Sequence, residues 1–553
     1  MWISKLLFCS AFLVWASAEE VLLDIPQGTL KGLKTTTITG GKPYYSFKGI
    51  PYAKPNVGPN KFRQPEKADP WQGVLDATKH RSTCVFYCMI RDGLFGEEDC
   101  LYLNIYTPAI NKDARKASMV FIHPGGFEAG SGDDDIFGPD LIIDEDVILV
   151  TMNFRLGALG FISTGDSNAP GNAGMKDQVM ALQWIKENIQ NFGGCPNRVT
   201  LVGQSSGAAS VQYHMLSPMS KGLFKNAIMQ SGSALSGWAI SCNPKERAFK
   251  LGEVLGVKTT DSAELIKKLM EFSAKELVDA SKVVAEGLNA MNGHTHAFVP
   301  VVEPQVGQEV FLPADPWELL KSAKFAEVPV LIGVTLEETA VFAPMMLAHA
   351  GVMNDYFEGF VPSELNITDA AKLKEIGDSL RKFYLDGKAL STETAAEYIK
   401  MTSDIMFNEG ILMSAQIMAS KSKQPVYEYL FSYYSPIGIM KNLMKQQEGV
   451  THGDEFVYEF YSNAFKHKAE PGTPFEKMTR TFIKLWTNFA KYRNPTNKLD
   501  DDITENWEPL GPEGNYMNIN LPLKMEKGLF KERLSFWANL YKDVLGEYAS
   551  LFS

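Results

Sequence analysis

The chain has 553 residues, with 54 Lys+Arg against 65 Asp+Glu and a formal net charge of −11. Hydrophobic residues make up 45% and charged residues 22%, the proportions of a globular protein, which excludes a disordered or collagen-like chain. The acidic balance excludes a nucleic-acid binder that works through a basic face, because no run of Lys and Arg offsets it.

At the N-terminus, Lys5 precedes an apolar stretch from Leu6 to Trp15, and Ala16-Ser17-Ala18 follows as a small-x-small site. The apolar stretch is too short to span a bilayer. Residues 1–18 therefore read as a secretory signal peptide cleaved after Ala18. No later stretch approaches the roughly 20 apolar residues of a membrane span. The end, Ala549 to Ser553, is neither a retention signal nor a lipid-anchor tail, so a secreted, extracellular protein is expected.

Cleavage would remove Cys9 and leave Cys84, Cys88, Cys100, Cys195 and Cys242. Five cysteines are an odd set in a secreted chain, so at least one thiol is left over. They are also too few for a disulfide scaffold, and the core must hold itself together. Cys84 and Cys88 have no matching second pair of Cys or His, which argues against zinc. Asn366-Ile367-Thr368 is the one usable glycosylation sequon, since Pro495 blocks Asn494-Pro495-Thr496.

Short, nearly continuous apolar runs recur along the chain, at Met119–His123, Val147–Thr151, Val199–Val202 and Val328–Ile332. Such runs suit strands buried on both faces of a mostly parallel sheet. Between them, Lys176 to Asn191 places Val179, Leu182, Ile185 and Ile189 on one helix face. The alternation predicts an α/β fold. Residues 256–325 and 355–425 are more helical and polar, and read as insertions around one core.

Gly203-Gln204-Ser205-Ser206-Gly207 is a lone G-x-S-x-G. The pattern is weak by itself, but here a strand-like Arg198–Gly203 precedes it and a helix-like Ala208–Leu216 follows. Strand, sharp turn and helix are what a nucleophile elbow needs, with the serine hydroxyl exposed at a helix N-terminus. Upstream, His123-Pro124-Gly125-Gly126-Phe127 follows another strand-like run. The N–H groups of Gly125 and Gly126, with that of Ser206, are candidate donors to a tetrahedral oxyanion. Both segments would also serve as plain Gly-rich turns.

A nucleophilic serine needs a histidine base and an orienting acid. In this fold class the chain order is Ser, then Asp or Glu, then His, which removes His80 and His123. His214 shares the helix that follows the serine. His294 and His296 fall in a Gly/Asn-rich stretch that reads as a surface loop, and His349 and His467 read as solvated. His452, in the glycine-bracketed loop Gly449–Phe456, is the candidate base. Glu338, past the Val328–Ile332 run, is the candidate acid, with Glu337 its rival.

Together these segments resemble the type-B carboxylesterases, the carboxylesterase and cholinesterase branch of the α/β-hydrolases, and most of all the insect secreted esterases. The resemblance covers essentially the whole mature chain. It is carried by Phe47–Ala53, Glu98–Asn104, Asn153–Phe161, Asn191–Gly194, the elbow and Met229–Ser233. It implies one catalytic domain over 19–553, with a large, mixed, mostly parallel sheet, flanking helices and helical insertions around an active-site gorge. By position it implies Ser205 as nucleophile, Glu338 rather than Glu337 as acid, His452 as base and Gly125, Gly126 and Ser206 as the oxyanion hole. It also implies a Cys84–Cys100 disulfide. No metal or organic cofactor is implied, and the expected partner is a small ester.

Three departures stand out. Thr339 follows Glu338 where the family usually has glycine. Gln204 precedes the nucleophile where most members have glutamate, a habit shared with juvenile hormone esterases, whereas Ser206 replaces the alanine usual in them. No late disulfide is visible: Cys242 has no near partner, Cys195 could meet it only through the fold, and Cys88 is the expected spare thiol. The Val85–Asp99 loop carries no tryptophan, so a choline ester would lack its cation–π platform. A general carboxylesterase is the expected function. Hydrolysis of juvenile hormone or of odorant esters is the narrower alternative, and a non-catalytic adhesion protein on the same fold the alternative of another class.

Overall fold

The computed structural model describes residues 18–88, 93–288, 290–446, 448–467 and 469–552. The expected signal peptide, up to its last residue, lies outside them. Among the described residues no helix is long and apolar enough to cross a membrane.

One sheet organises the chain. It opens with β1 (Glu19–Ile25), β2 (Gly28–Thr36), β3 (Pro43–Pro51) and the short β4 (Val74–Asp76), which pairs with β2. A separate two-stranded ladder, β5 (Phe86–Cys88) and β6 (Gly93–Phe95), lies inside the Cys84–Cys100 loop. The main sheet continues with β7 (Tyr102–Thr107), β8 (Lys116–Ile122), β9 (Ile148–Met152), β10 (Gly194–Gln204) and β11 (Asn226–Gln230). It ends with β12 (Val330–Thr335), β13 (Val426–Phe431), β14 (Asn515–Ile519) and β15 (Lys524–Lys527).

The spatial order is β1-β2-β3-β7-β9-β8-β10-β11-β12-β13-β14-β15. From β9 to β14 every neighbour is parallel. The flanking pairs, β1 to β9 on one side and β14 with β15 on the other, are antiparallel. The expected mixed, mostly parallel sheet is present, and the four apolar runs are β8, β9, β10 and β12.

Those runs are continuous because both faces of the sheet are covered. Side chains alternate faces along a strand. In β8, Val120 and Ile122 join one core cluster, whereas Met119 and Phe121 join the other. The first core receives α1 (Ala173–Asn188) through Val179, Leu182 and Ile185, and α2 (Ser206–Leu216) through Ala208, Ala209 and Val211. The second receives α3 (Pro474–Tyr492), whose Met478, Phe482, Leu485, Trp486 and Phe489 form one apolar stripe. Thr473 caps α3 by accepting the Glu476 N–H, and Phe482 stacks on Trp486 at 3.9 Å between ring centroids. The segments read as insertions carry helices such as Ser262–Leu269, Ala274–Ala285 and Ala370–Leu385.

Cys84 and Cys100 form the disulfide. The other three described thiols are free, so Cys88 is one of three spares. Cys195 is buried beside the Arg115 guanidinium, and Cys242 is exposed with its sulfur facing Ser363. The fold does not bring these two together.

Candidate active site

Sheet order sets the place of the site. The crossover that leaves β8 runs to β9 on one side, whereas the one that leaves the neighbouring β10 runs to β11 on the other. A crevice opens at such a switch point, outside the carboxyl ends of the strands. The glycines that follow β8 and the serine that follows β10 both lie there.

Ser205 connects β10 to α2 with φ 58° and ψ −126°. A non-glycine residue in that region stores about 1–3 kcal/mol of strain, which the surrounding structure must impose. Two glycines allow it. A Cβ on Gly203 would strike the carbonyl of Gly207, and a Cβ on Gly207 would strike the carbonyl of Ile122 in β8. Strand and helix therefore meet backbone to backbone, and the half-buried Ser205 side chain is presented at the turn. Ser206 opens α2, so its N–H is among the first-turn donors without an intrahelical acceptor.

The 123–130 loop packs alongside. His123 is fully buried, directs Nδ1 to the Pro124 carbonyl at 2.8 Å and stacks on Phe154 at 4.5 Å. Burial lowers its pKa to about 4, so the ring is neutral and structural. Gly125 and Gly126 take φ 119° and 64°. The Gly125 carbonyl accepts the N–H groups of Glu128 and Ala129, whereas the Gly125 and Gly126 N–H groups engage no backbone carbonyl among the described residues.

Glu338 sits three residues beyond β12 and is fully buried. Its Oε2 lies 2.7 Å from His452 Nδ1. Its Oε1 accepts from Ser231 Oγ at 2.6 Å and from the Thr335 N–H at 2.7 Å. The His452 N–H in turn donates to the Glu338 carbonyl at 3.1 Å, and Phe407 covers the ring at 4.5 Å. Glu337 points elsewhere, towards the Val450 N–H. Thr339 is accommodated in place of glycine because its hydroxyl reaches the Ile399 carbonyl at 3.1 Å and Thr402 Oγ1 at 2.7 Å.

The other ring nitrogen, His452 Nε2, lies 3.1 Å from the side-chain nitrogen of Gln204, the residue before the serine. Next along the chain, Glu455 and Glu459 are wholly buried, with the Glu455 carboxyl meeting no hydrogen-bond partner among the described residues and Glu459 lying beside the Gln230 side chain. Burial raises both; Glu455 is raised further by the neighbouring Glu338 charge, and Glu459 reaches about 8.

Several histidines are placed otherwise than expected. His294 is buried, with Nε2 on Ser363 Oγ at 2.5 Å, because the chain around it is an inward-facing connection and not a surface loop. His296 is half-buried against Gly126 and faces Glu128 at 3.2 Å. His467 is half-buried too, with Nε2 on the Val457 carbonyl at 3.2 Å. His349 is exposed. His214 is buried in α2 between Gln178 and Ser220, on the far side of the helix from any role with Ser205. Ser231, Phe407 and the His296–Glu128 pair were not assigned from sequence; only Ser231 lay in a recognised motif, Met229–Ser233. Among the described residues no group of three His, Cys, Asp or Glu could hold a metal ion.

A parallel core with antiparallel edges and a serine on a strand–turn–helix elbow is the α/β-hydrolase fold. The chain belongs to the carboxylesterase family, which matches residues 19–537, and it is a carboxylic ester hydrolase. It is 35% identical over 533 residues to juvenile hormone esterase from Tribolium castaneum, covering 90% of each chain. It is 35% identical to esterase FE4 from Myzus persicae, covering 91% of this chain and 89% of that one. It is 34% identical to acylcarnitine hydrolase from Rattus norvegicus, covering 91% and 88%. The crystal structure of juvenile hormone esterase from Manduca sexta, with OTFP covalently attached, superposes with a TM-score of 0.85 at 30% identity, over 95% of this chain and 100% of that one.

Proposed function

We propose that the protein is a secreted serine carboxylesterase with Ser205 as nucleophile, His452 as general base, Glu338 as orienting acid and Gly125, Gly126 and Ser206 as oxyanion donors. The carrying observation is the 2.7 Å contact of His452 Nδ1 with buried Glu338, which leaves Nε2 facing the elbow. With Nδ1–H given to Glu338, Nε2 holds the lone pair that takes the serine proton. Ser205 Oγ attacks the ester carbonyl as its proton passes to Nε2. The developing oxyanion is met by backbone N–H groups, each such donor being worth about 10²–10³ in rate. His452 then protonates the leaving alcohol, and water repeats the cycle on the acyl-enzyme.

Purified Ser205→Ala protein is expected to fold normally and to lose on the order of 10⁶ in kcat. Covalent labelling by an organophosphate is expected in the native chain and absent from this variant. Turnover retained by Ser205→Ala overturns the assignment, and a native chain that neither labels nor turns over esters favours the non-catalytic reading.

General carboxylesterase is the substrate reading best supported, because relatives named for two different esters, juvenile hormone and acylcarnitine, match at 35% and 34% identity. Juvenile hormone hydrolysis is the narrower reading, favoured by Gln204 at the His452 ring. The discriminating measurement is kcat/KM on p-nitrophenyl acetate to butyrate, a long-chain alkenyl acetate and juvenile hormone. A several-hundredfold preference for the hormone establishes the narrower function, and broad activity establishes the general one. Asn366, exposed in a turn with φ 52°, is proposed to carry the glycan.

A further inference from the structure

A second hollow lies at the opposite end of the sheet from Ser205. β10, β11 and β12 run parallel, and Ser205 and Glu338 follow the carboxyl ends of β10 and β12. Lys225 directly precedes β11, and Val328 and Pro329 directly precede β12, so these residues stand at the amino ends. Together with the last residues of α2 and Arg493, which follows α3, they line a cavity of about 840 Å³. That size falls within the roughly 300–1,000 Å³ of small-molecule sites.

The wall of the cavity has two kinds of surface. Leu216, Phe224, Phe325 and Val328 give it an apolar part. Lys221, Lys225, Lys324 and Arg493 bring four cations, against the single carboxylate of Glu327. Other lysines of this chain are paired, as Lys176 is with Glu303 and Lys441 with Asp454. By contrast, none of the four cationic side chains at the cavity meets a carboxylate or another hydrogen-bond acceptor among the described residues. Nor does the end of α2 occupy them, because the Met215 carbonyl already accepts the Ala326 N–H at 2.7 Å. Lys225 is half-buried and the other three are exposed. In a chain of net charge −11, four unpaired cations around one cavity repel each other, and a bound anion relieves that repulsion.

We propose that this cavity binds an amphiphilic organic anion, a carboxylate held by the lysines and Arg493 on an aliphatic chain that covers the apolar part of the wall. Both halves of such a ligand are needed. A small inorganic anion leaves the apolar surface in water, and a neutral lipid leaves the cations unpaired. Because the cavity lies at the amino ends of the strands, its occupancy leaves the catalytic crevice open.

The test is isothermal titration calorimetry of the full-length protein with decanoate, held below its micelle concentration. Decanoate is expected to bind, and its affinity to fall about tenfold or more in Lys225→Gln/Lys324→Gln and further in Lys225→Glu/Lys324→Glu. 1-Decanol and sodium sulfate are each expected to bind native protein at least tenfold more weakly than decanoate. Hydrolysis of p-nitrophenyl acetate by the variants should stay within twofold of native, which also shows that they fold. Lys324→Glu alone, at an exposed position, is the second variant should the paired change disturb the fold. Native hydrolysis should continue when decanoate saturates the calorimetric site. The proposal is overturned by an absence of decanoate binding, by an affinity unmoved in the variants, or by decanol or sulfate binding as tightly as decanoate. It is overturned too if saturation abolishes hydrolysis competitively, which would place decanoate in the crevice.

Discussion

The side-chain amide of Gln204 stands 3.1 Å from His452 Nε2, the ring nitrogen proposed to take the serine proton. A neutral amide donating there supports the neutral imidazole, which is the form that accepts a proton. A glutamate would instead support the imidazolium. Gln204→Glu is therefore expected to lower kcat/KM more in acid than in alkaline solution. Activity at pH 6 should drop severalfold and activity at pH 8.5 should change little. A pH profile of both enzymes decides it, and an unmoved profile would show that Gln204 acts only in packing.

The crevice is buttressed by a buried ion pair. Arg155 Nε and Nη2 meet Asp177 at 2.8 and 2.6 Å, and both side chains are almost wholly enclosed. The same guanidinium serves the carbonyls of Lys61, Arg63 and Ala173, and so ties the early chain to α1. Asp177→Ala leaves a buried cation uncompensated, which costs about 3–5 kcal/mol. Urea denaturation should show a loss of that size. A loss below about 1 kcal/mol would mean that the guanidinium finds another anion or water.

Burial alone raises Glu428, in β13, to about 8. A carboxyl in an unfolded chain titrates near 4.5. Between these values the folded chain binds a proton that the unfolded chain lacks. Stability from this group is whole below about pH 4.5, falls as pH rises, by up to about 1.4 kcal/mol per unit, and is gone above about pH 8. Glu428→Gln removes the titration. Its Tm should match the native value near pH 4.5 and exceed it by a few degrees at pH 8.5. Parallel Tm curves for the two proteins across that range would refute the linkage.

Much of this was legible because it is local. β8, β9, β10 and β12 are short apolar runs in which both faces are buried, so the residues themselves declare a covered parallel strand. The elbow is equally local: Gly203 and Gly207 are demanded by a backbone contact between a strand and the helix that directly follows it. Glu338 was separable from Glu337 only by family resemblance, because adjacent carboxylates differ in direction and not in chemistry. In the fold Glu338 turns to His452, whereas Glu337 turns to Val450.

What the residues alone determined, then, was the α/β class, the serine on its turn, the glycine pair after β8 and a short set of candidate acids and bases. Strand periodicity and turn chemistry act over a few residues, so a few residues suffice to show them. The tertiary structure decided which distant groups meet. Glu338 and His452 are 114 positions apart, Gln204 and His452 are 248 apart, and Glu128 and His296 are 168 apart. Their meeting depends on the strand order β8-β10-β11-β12-β13, which gathers loops from the same sheet edge. His296 shows the limit most clearly. In sequence it lies in a polar, turn-rich stretch that reads as solvated, and only the packing of that stretch over Gly126 makes it part of the site.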